Sequence, residues 1–383
     1  MYYMEEQKFR LGIMFNFNPK WTGGMIYILN IIKTLNFLDE KDKPTVVILY
    51  NPALKKYIDE INYRYLELVP HNFPSLYKGY ADSILKNKNA FVHDLVINYK
   101  LDAIFPMHDY PVKSKLDAKL VSWYADLQHM YYPQFFTKRK RLERNARIKL
   151  ILKNSKDLVV SSQAVKDDFF KFFKVPKNLN IHIYHFVSII EGITNMTFDE
   201  IRAKYDLPEH YYMISNQFHK HKNHKVVFEA VAELKKKGIA VSIGITGRFP
   251  DEPDSPYLHE LHDIINKNDL KKSIKFLGLI PRGDQFLLMK YSKAIIQPSL
   301  FEGWSTVIED ARSLQVPVIA ANLNVNIEQL ADKATYFEAH NVEQLVSILE
   351  KYPNRDYSKM LYEPYENRMK KAAYELLSVF KKV

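Results

Sequence analysis

The residues best placed for chemistry fall in one run, Pro298-Ser299-Leu300-Phe301-Glu302-Gly303-Trp304-Ser305-Thr306-Val307-Ile308-Glu309-Asp310-Ala311. An apolar strand pattern ends at Gln297, a loop with a single glycine follows, and helical spacing opens at Ser305 or Thr306. The first N–H groups of a helix have no partner inside it and lie at the positive end of its dipole, so they suit a phosphate or another anion. Gly303 lets a ligand come close to the backbone, and the hydroxyls of Ser305 and Thr306 add donors. Glu302 precedes the helix, while Glu309 and Asp310 lie inside it. Carboxylates accept hydrogen bonds from vicinal hydroxyls, so an anion site flanked by carboxylates points to a sugar nucleotide. A plain helix cap with an acidic first turn accounts for the same residues, and on pattern alone both readings stand.

A second polar run, Ser215-Asn216-Gln217-Phe218-His219-Lys220-His221-Lys222-Asn223-His224-Lys225, also follows a strand pattern. Its lysines act as point charges toward anionic oxygen, the alternative being a solvated loop. His219, His221 and His224 raise the idea of a metal. Their spacing fits no standard zinc set and no acidic or sulfur ligand is near, so no metal is expected. Three further places carry polar candidates after strands or in turns. They are Gly23-Gly24, Asp126 and His129 within Trp123-Tyr124-Ala125-Asp126-Leu127-Gln128-His129, and Arg282 within Ile280-Pro281-Arg282-Gly283. Ordinary loop caps and surface turns are the alternative for each.

Strands must stand behind these loops. Apolar or β-branched runs at 9–15, 45–50, 103–106, 120–123 and 158–161 alternate with loops and helical stretches such as 25–38. The pattern is irregular near 190–208. It then restarts with strands at 212–215, 241–246, 274–277, 294–297 and 318–320 and helices at 224–237 and 305–314. Strands alternating with helices predict parallel sheets covered on both faces. The expected fold is α/β, with two doubly wound Rossmann-like domains at 1–195 and 196–383 and the last helix packing back on the first domain. Ligands of such units bind at the carboxyl ends of the strands.

Composition sets the outer limits. The chain has 383 residues, 47% hydrophobic and 26% charged, which excludes a disordered or fibrous protein. No apolar run reaches the roughly 18–20 residues of a membrane span, and residues 1–6 lack a signal-peptide pattern, so a cytoplasmic protein is expected. Cysteine is absent, which excludes disulfides and thiolate chemistry. The net charge of +11 favours anionic partners. Lys138, Arg139, Lys140, Arg141, Arg144, Arg147 and Lys149 follow the aromatic run Tyr131-Tyr132-Pro133-Gln134-Phe135-Phe136. A helix over 138–149 would present them to the inner face of a membrane or to an anionic acceptor; a solvated face is the alternative. No nucleic-acid-binding module is visible, and nucleic acid is not an expected partner.

The run from Glu302 resembles the signature of the retaining GT-B glycosyltransferases of the family 4-like group (glycosyl transferases group 1). Glu302, Gly303, Trp304, Ser305 and Thr306 match its opening, and Pro317-Val318-Ile319-Ala320-Ala321-Asn322 matches the strand after the motif helix. The resemblance spans nearly the whole chain and is strongest from 215 to 330. It implies two domains facing a cleft and transfer of a hexose from a nucleotide-diphosphate sugar to a glycan, lipid-linked or other hydroxyl acceptor, without a metal or other cofactor. It implies that Glu302 contacts the transferred sugar, and that Ser305, Thr306 and the Val307 amide hold the diphosphate. Asp310, with Glu309 as the substitute, grips the ribose, and Lys222 neutralises the diphosphate. By the same likeness Gly23 and Gly24 approach donor and acceptor, Asp126 and His129 face the sugar, and Arg282 meets the nucleobase. The chain departs from the pattern at Gln217, where an arginine is usual, at Asp310, where a glutamate is usual, and at Ala125 and Gln315. The departures at Gln217 and Asp310 motivate a different reading, a non-catalytic nucleotide-sugar-binding protein of the same fold. A GT-B epimerase or phosphorylase is a third. No Asp-x-Asp pair occurs, so charge neutralisation without metal falls to Lys222 and the helix N-terminus.

Overall fold

A computed structural model describes residues 8–18, 22–107, 110, 112–248, 255–352, 356 and 358–381. The chain forms two compact units, Met1–Val187 with Glu366–Val383, and Ser188–Tyr365. In the first, β1 (Arg10–Phe15), β2 (Thr45–Tyr50), β3 (Leu66–Pro70), β4 (Ala103–Phe105), β5 (Lys119–Tyr124), β6 (Asp157–Val160) and β7 (Asn180–Ile183) make one sheet in the order β3-β2-β1-β4-β5-β6-β7. Every pairing is parallel. Its helices are α1 (Thr22–Thr34), α2 (Leu76–Leu85), α3 (His93–Asn98), α4 (Gln128–Tyr131), α5 (Lys138–Asn154) and α6 (Gln163–Phe172).

The stretch expected as a loop before residue 25 is helical from Thr22, so Gly23 and Gly24 lie in the first turn of α1. Burial of Ile28, Ile31 and Ile32 anchors that helix, and at Gly23 a Cβ would meet nothing within 4 Å. Residues 19–21 lie outside the described residues.

In the second unit, α7 (Phe198–Lys204) leads into β8 (Tyr212–Ser215) and α8 (His224–Lys236). Then come β9 (Ile243–Thr246), α9 (Pro256–Lys267), β10 (Ile274–Gly278) and α10 (Arg282–Tyr291). β11 (Ile295–Gln297), α11 (Thr306–Ser313), β12 (Val318–Ala321), α12 (Asn324–Leu330), β13 (Ala334–Phe337) and α13 (Val342–Lys351) complete it. The six strands pair in parallel in the order β10-β9-β8-β11-β12-β13. Alternate residues serve opposite faces. Tyr212, Ile214, Ile319 and Ala321 enter one core, and Met213, Val318 and Ala320 the other. Strands buried on both sides explain why they read as unbroken apolar runs.

The division falls at 187/188 and not at the expected 195/196. Ser188 Oγ donates to Asp310, Ser313 Oγ donates to Ser188 O at 3.0 Å, and Thr194 Oγ1 donates to Asp284, so the segment after 187 is bound into the second unit. The chain then returns. α14 (Tyr365–Phe380) belongs from Glu366 onward to the first unit, where Lys370 Nζ meets Asp39 at 2.8 Å and Phe380 packs 5.5 Å from Phe105. Among the described residues no helix is long and apolar enough to cross a membrane. Phe380 is fully buried, so Phe380→Ala should cost about 3–5 kcal/mol of stability, read as a lower urea midpoint.

Candidate functional site

From β8 the chain winds outward through β9 to β10, comes back to β11 beside β8, and winds the other way to β13. Where strand order reverses in this way, the loops leaving neighbouring carboxyl ends part to opposite faces and leave a crevice. The two polar runs singled out in the sequence are the loops leaving β8 and β11. They are tied together. Leu300 N–H donates to His221 O at 2.8 Å, and Asn223 Nδ2 donates to Pro298 O at 3.1 Å and Ala339 O at 2.7 Å. Asn223 has φ +53°, a left-handed conformation that asparagine tolerates, and α8 starts directly after it.

Between the loops the Lys222 ammonium donates to Glu302 Oε1 at 2.7 Å, with the two side chains only 19% and 10% exposed. Gln297 Nε2 donates to the same carboxylate oxygen at 2.8 Å, and Asn216 Nδ2 donates to Gln297 Oε1 at 2.9 Å. Gln297 and Asn216 are buried. A buried amide must satisfy both ends, so Asn216 fixes which way Gln297 points and Gln297 fixes the carboxylate. The β8 loop also needs Gly247. Its φ is +149°, and a Cβ there would lie 2.2 Å from Asn216 O.

Helix α11 opens the next part of the site. Ser305 is its N-cap, its Oγ accepting from Ile308 N–H at 3.3 Å, and Gln329 clamps it by donating to Ser305 O at 2.9 Å and accepting from Ser305 N–H at 3.3 Å. The Ser305 hydroxyl, expected to face a ligand, is thus buried and serves as the cap. Thr306 is half-buried, and the amides of Thr306 and Val307 are first-turn groups without an intrahelical partner.

The two acids inside the helix point about 100° apart and find separate cations. Glu309 Oε1 accepts from Arg312 Nη1 at 2.6 Å and Gln329 Nε2 at 2.7 Å. Asp310 Oδ1 accepts from Arg282 Nη2 at 2.5 Å and from Ser188 Oγ. Both acids are fully buried. Burial pushes the Asp310 carboxyl up, against the opposing pull of Arg282 and Ser188. The Arg282 guanidinium also lies 4.2 Å from the centre of the Phe286 ring.

Gln217 is exposed, and its Oε1 is 2.9 Å from His219 Nε2, whose ring stacks on His221 with centroids 5.6 Å apart. His224 points away into the core, stacked on Phe218 at 4.7 Å. The three histidines do not converge. Among the described residues no group of three or more His, Cys, Asp or Glu side chains is placed to hold a metal.

In the first unit, Asp126 Oδ1 accepts from Gln128 N–H at 2.9 Å and from Arg144 Nη2 at 3.0 Å. His129 is buried with both ring nitrogens engaged. Arg144 Nε donates to its Nδ1 at 3.1 Å, so Nε2 carries the hydrogen facing Asn145 Oδ1 at 2.9 Å. Burial first, and Arg144 next, hold its pKa below the usual imidazole value, while Asn145 and Asp126 act the other way. The structure therefore makes His129 a brace between α4 and α5, not an open hydrogen-bonding group. Gly23 has open space around its Cα. Gln297, Gln329 and Asn216 were not singled out from the sequence. A glutamine closing the apolar strand Ala294-Ile295-Ile296 is the signal that points to the first.

Two doubly wound parallel units of this kind are the GT-B architecture. Residues 197–376, which span most of the second unit, match the family described as Glycosyl transferases group 1. It is 22% identical over 240 residues to the O-antigen chain mannosyltransferase RfbU of Salmonella typhimurium, covering 60% of this chain and 62% of that protein. With the putative glycosyltransferase EpsF of Bacillus subtilis it shares 28% identity over 106 residues, covering 28% of this chain and 26% of that one. The chain thus spans less than two thirds of either curated relative. The crystal structure of Alr3699/HepE from Anabaena in complex with UDP and glucose has the same fold, with a TM-score of 0.61, 16% identity and 97% of both chains covered.

Two outcomes check this geometry. Gln297→Leu strands the Asn216 amide and removes a donor from Glu302, and should cost about 1–3 kcal/mol in denaturant unfolding. Burial, followed by the Lys222 ammonium, lowers the His224 pKa from 6.5 to about 3. Between those values the unfolded chain binds one proton more. The contribution of His224 is therefore intact above pH 6.5 and is lost as pH falls toward 3, by up to about 1.4 kcal/mol per pH unit. In His224→Phe the stability-versus-pH slope between pH 4 and 6, a window inside those limits, should flatten by about one proton.

Proposed function

We propose that this protein is a retaining glycosyltransferase that needs no metal and moves a hexose from a nucleotide-diphosphate sugar to a hydroxyl acceptor, glycan or lipid-linked. The observation that carries the reading is the Lys222–Glu302 pair at the carboxyl ends of β8 and β11, three residues ahead of the N-cap of α11. In transfer with retention the bond from the anomeric carbon to the diphosphate breaks while the acceptor oxygen bonds on the same face, and the acceptor proton passes to the departing phosphate oxygen. Negative charge grows on the leaving diphosphate. The Lys222 ammonium and the amides of Thr306 and Val307 offset it, a fixed electrostatic role that usually supplies a large share of rate acceleration. Glu302, its orientation set by Gln297, accepts from the sugar hydroxyls. Arg282, held between Asp310 and Phe286, takes the nucleoside end, with Asp310 acting on the ribose through it. A hexose donor and a role in surface polysaccharide synthesis are supported by the name of RfbU and by the UDP and glucose held by HepE.

One set of observations favours a second reading. Gln217 replaces a fixed positive charge, and Asp310 is already bound to Arg282, which suits a protein that binds a nucleotide sugar without turning it over. Incubation with a panel of uridine, guanosine and adenosine diphosphate sugars, with and without acceptor, separates the readings. Free nucleotide released with acceptor supports transfer. Thermal stabilisation by a nucleotide without turnover supports the binding protein. Conversion of donor with no acceptor, or only with phosphate, supports an epimerase or phosphorylase. Lys222→Ala should lower kcat about 10²–10³-fold while circular dichroism shows the fold retained, and unchanged turnover would refute the role given to the lysine.

A further inference from the structure

A salt bridge standing in an anion site sets the anion a problem. The Lys222 ammonium is already taken, donating to Glu302 Oε1 at 2.7 Å, and both side chains are largely out of water. A diphosphate that draws the lysine to itself leaves Glu302 a dehydrated carboxylate without its cation. A diphosphate that leaves the pair intact gains no ammonium and lies beside a like charge. Both courses are unfavourable, because a buried ion deprived of its partner loses the attraction that offset its dehydration.

The two members are not held equally. Glu302 Oε1 also accepts from Gln297 Nε2 at 2.8 Å, Gln297 Oε1 accepts from Asn216 Nδ2 at 2.9 Å, and both amides are buried. The carboxylate is therefore fixed from behind. Lys222 closes the short turn Lys220–Lys222, its N–H donating to His219 O at 2.8 Å. Among the described residues Glu302 is the only hydrogen-bond partner of its ammonium. A lysine stem is flexible and its three donors rotate freely, so Lys222 is the member that can leave. Gln217, in the same loop, brings no charge to share the task, and its Oε1 is 2.9 Å from His219 Nε2.

Hydroxyl groups donate to a carboxylate, and a sugar presents several. We propose that the Lys222–Glu302 pair selects a nucleotide diphosphate that carries a sugar over the bare nucleotide diphosphate left after transfer. The diphosphate takes the ammonium, and the sugar hydroxyls take its place on Glu302. This rests on the assignment of the site to a nucleotide sugar. Phosphate and sugar are then recognised as a unit, each end making good the partner that the other removes. Once the sugar has gone, Lys222 returns to Glu302 and the spent nucleotide loses its hold, so product release is built into the site. A carboxylate that merely repelled phosphate would weaken both ligands alike.

Isothermal titration calorimetry of the full chain tests it, with UDP, GDP and ADP and with UDP-glucose, GDP-mannose and ADP-glucose. For the base that the protein accepts, the wild type should bind the sugar-bearing nucleotide about ten-fold more tightly than the bare one, the worth of one hydrogen bond to a charged group. Glu302→Gln keeps the shape and removes the charge. It should tighten the bare nucleotide about ten-fold and move the sugar-bearing one by less than about two-fold, which erases the preference. A wild type that binds the bare nucleotide as tightly as the sugar-bearing one would overturn the proposal, and that comparison stands even if the variant does not fold. Equal tightening of both ligands in Glu302→Gln would overturn it too, in favour of simple repulsion. If folded wild type binds none of the six, the nucleotide-sugar reading itself fails and the selection falls with it.

Discussion

An ammonium and a carboxylate 2.7 Å apart, both largely removed from water, hold together two loops whose charged residues are 80 positions apart in the chain. Taking such ions out of water costs several kcal/mol each, and mutual attraction offsets this only when geometry and further hydrogen bonds are good. Here those bonds come from Gln297 and, behind it, Asn216. The arrangement requires β8 and β11 to be neighbours, the β8 loop to pass over Gly247, and Asn223 to turn left-handed so that its amide reaches two carbonyls. Each of these is a local choice that makes sense only in view of the pair.

The same logic separates the three acids around α11. Glu302 goes to Lys222, Glu309 to Arg312 and Asp310 to Arg282, so no two carboxylates share a cation. Glu309 and Asp310 are consecutive, yet the helical twist sends them to opposite neighbours. Asp310 is one methylene shorter than the glutamate usual at its position. Its reach is taken up by an arginine from α10 and a serine from the segment that joins the units.

Much of this was legible in the sequence, and the failures have physical reasons. Central strands buried on both faces, such as β2 and β8, were located to the residue because they are continuous apolar runs between turn signals. β3, β7 and β13 were missed. All three are sheet edges, only partly buried, and lack the apolar density that marks an inner strand. Lys222 and Glu302 were each placed at the site, but their contact was not, since it depends on strand order. The bracing of His129 was not legible, because Arg144 and Asn145 come from the next helix. Gln297 was placed correctly at the end of a strand, but its bonds to Glu302 and Asn216 were missed because a single polar residue carries no periodicity.

The return of α14 to the first unit has a bearing on synthesis. The whole of 188–365 leaves the ribosome before the final helix does, so the later-encoded unit has all of its residues in hand while the earlier one still lacks part of its core. Until Met369, Leu376 and Phe380 arrive, the apolar side chains they cover, Phe105 among them, stay wet. During translation the first unit therefore completes its core only after 188–365 has been made, whereas the second draws on one continuous stretch.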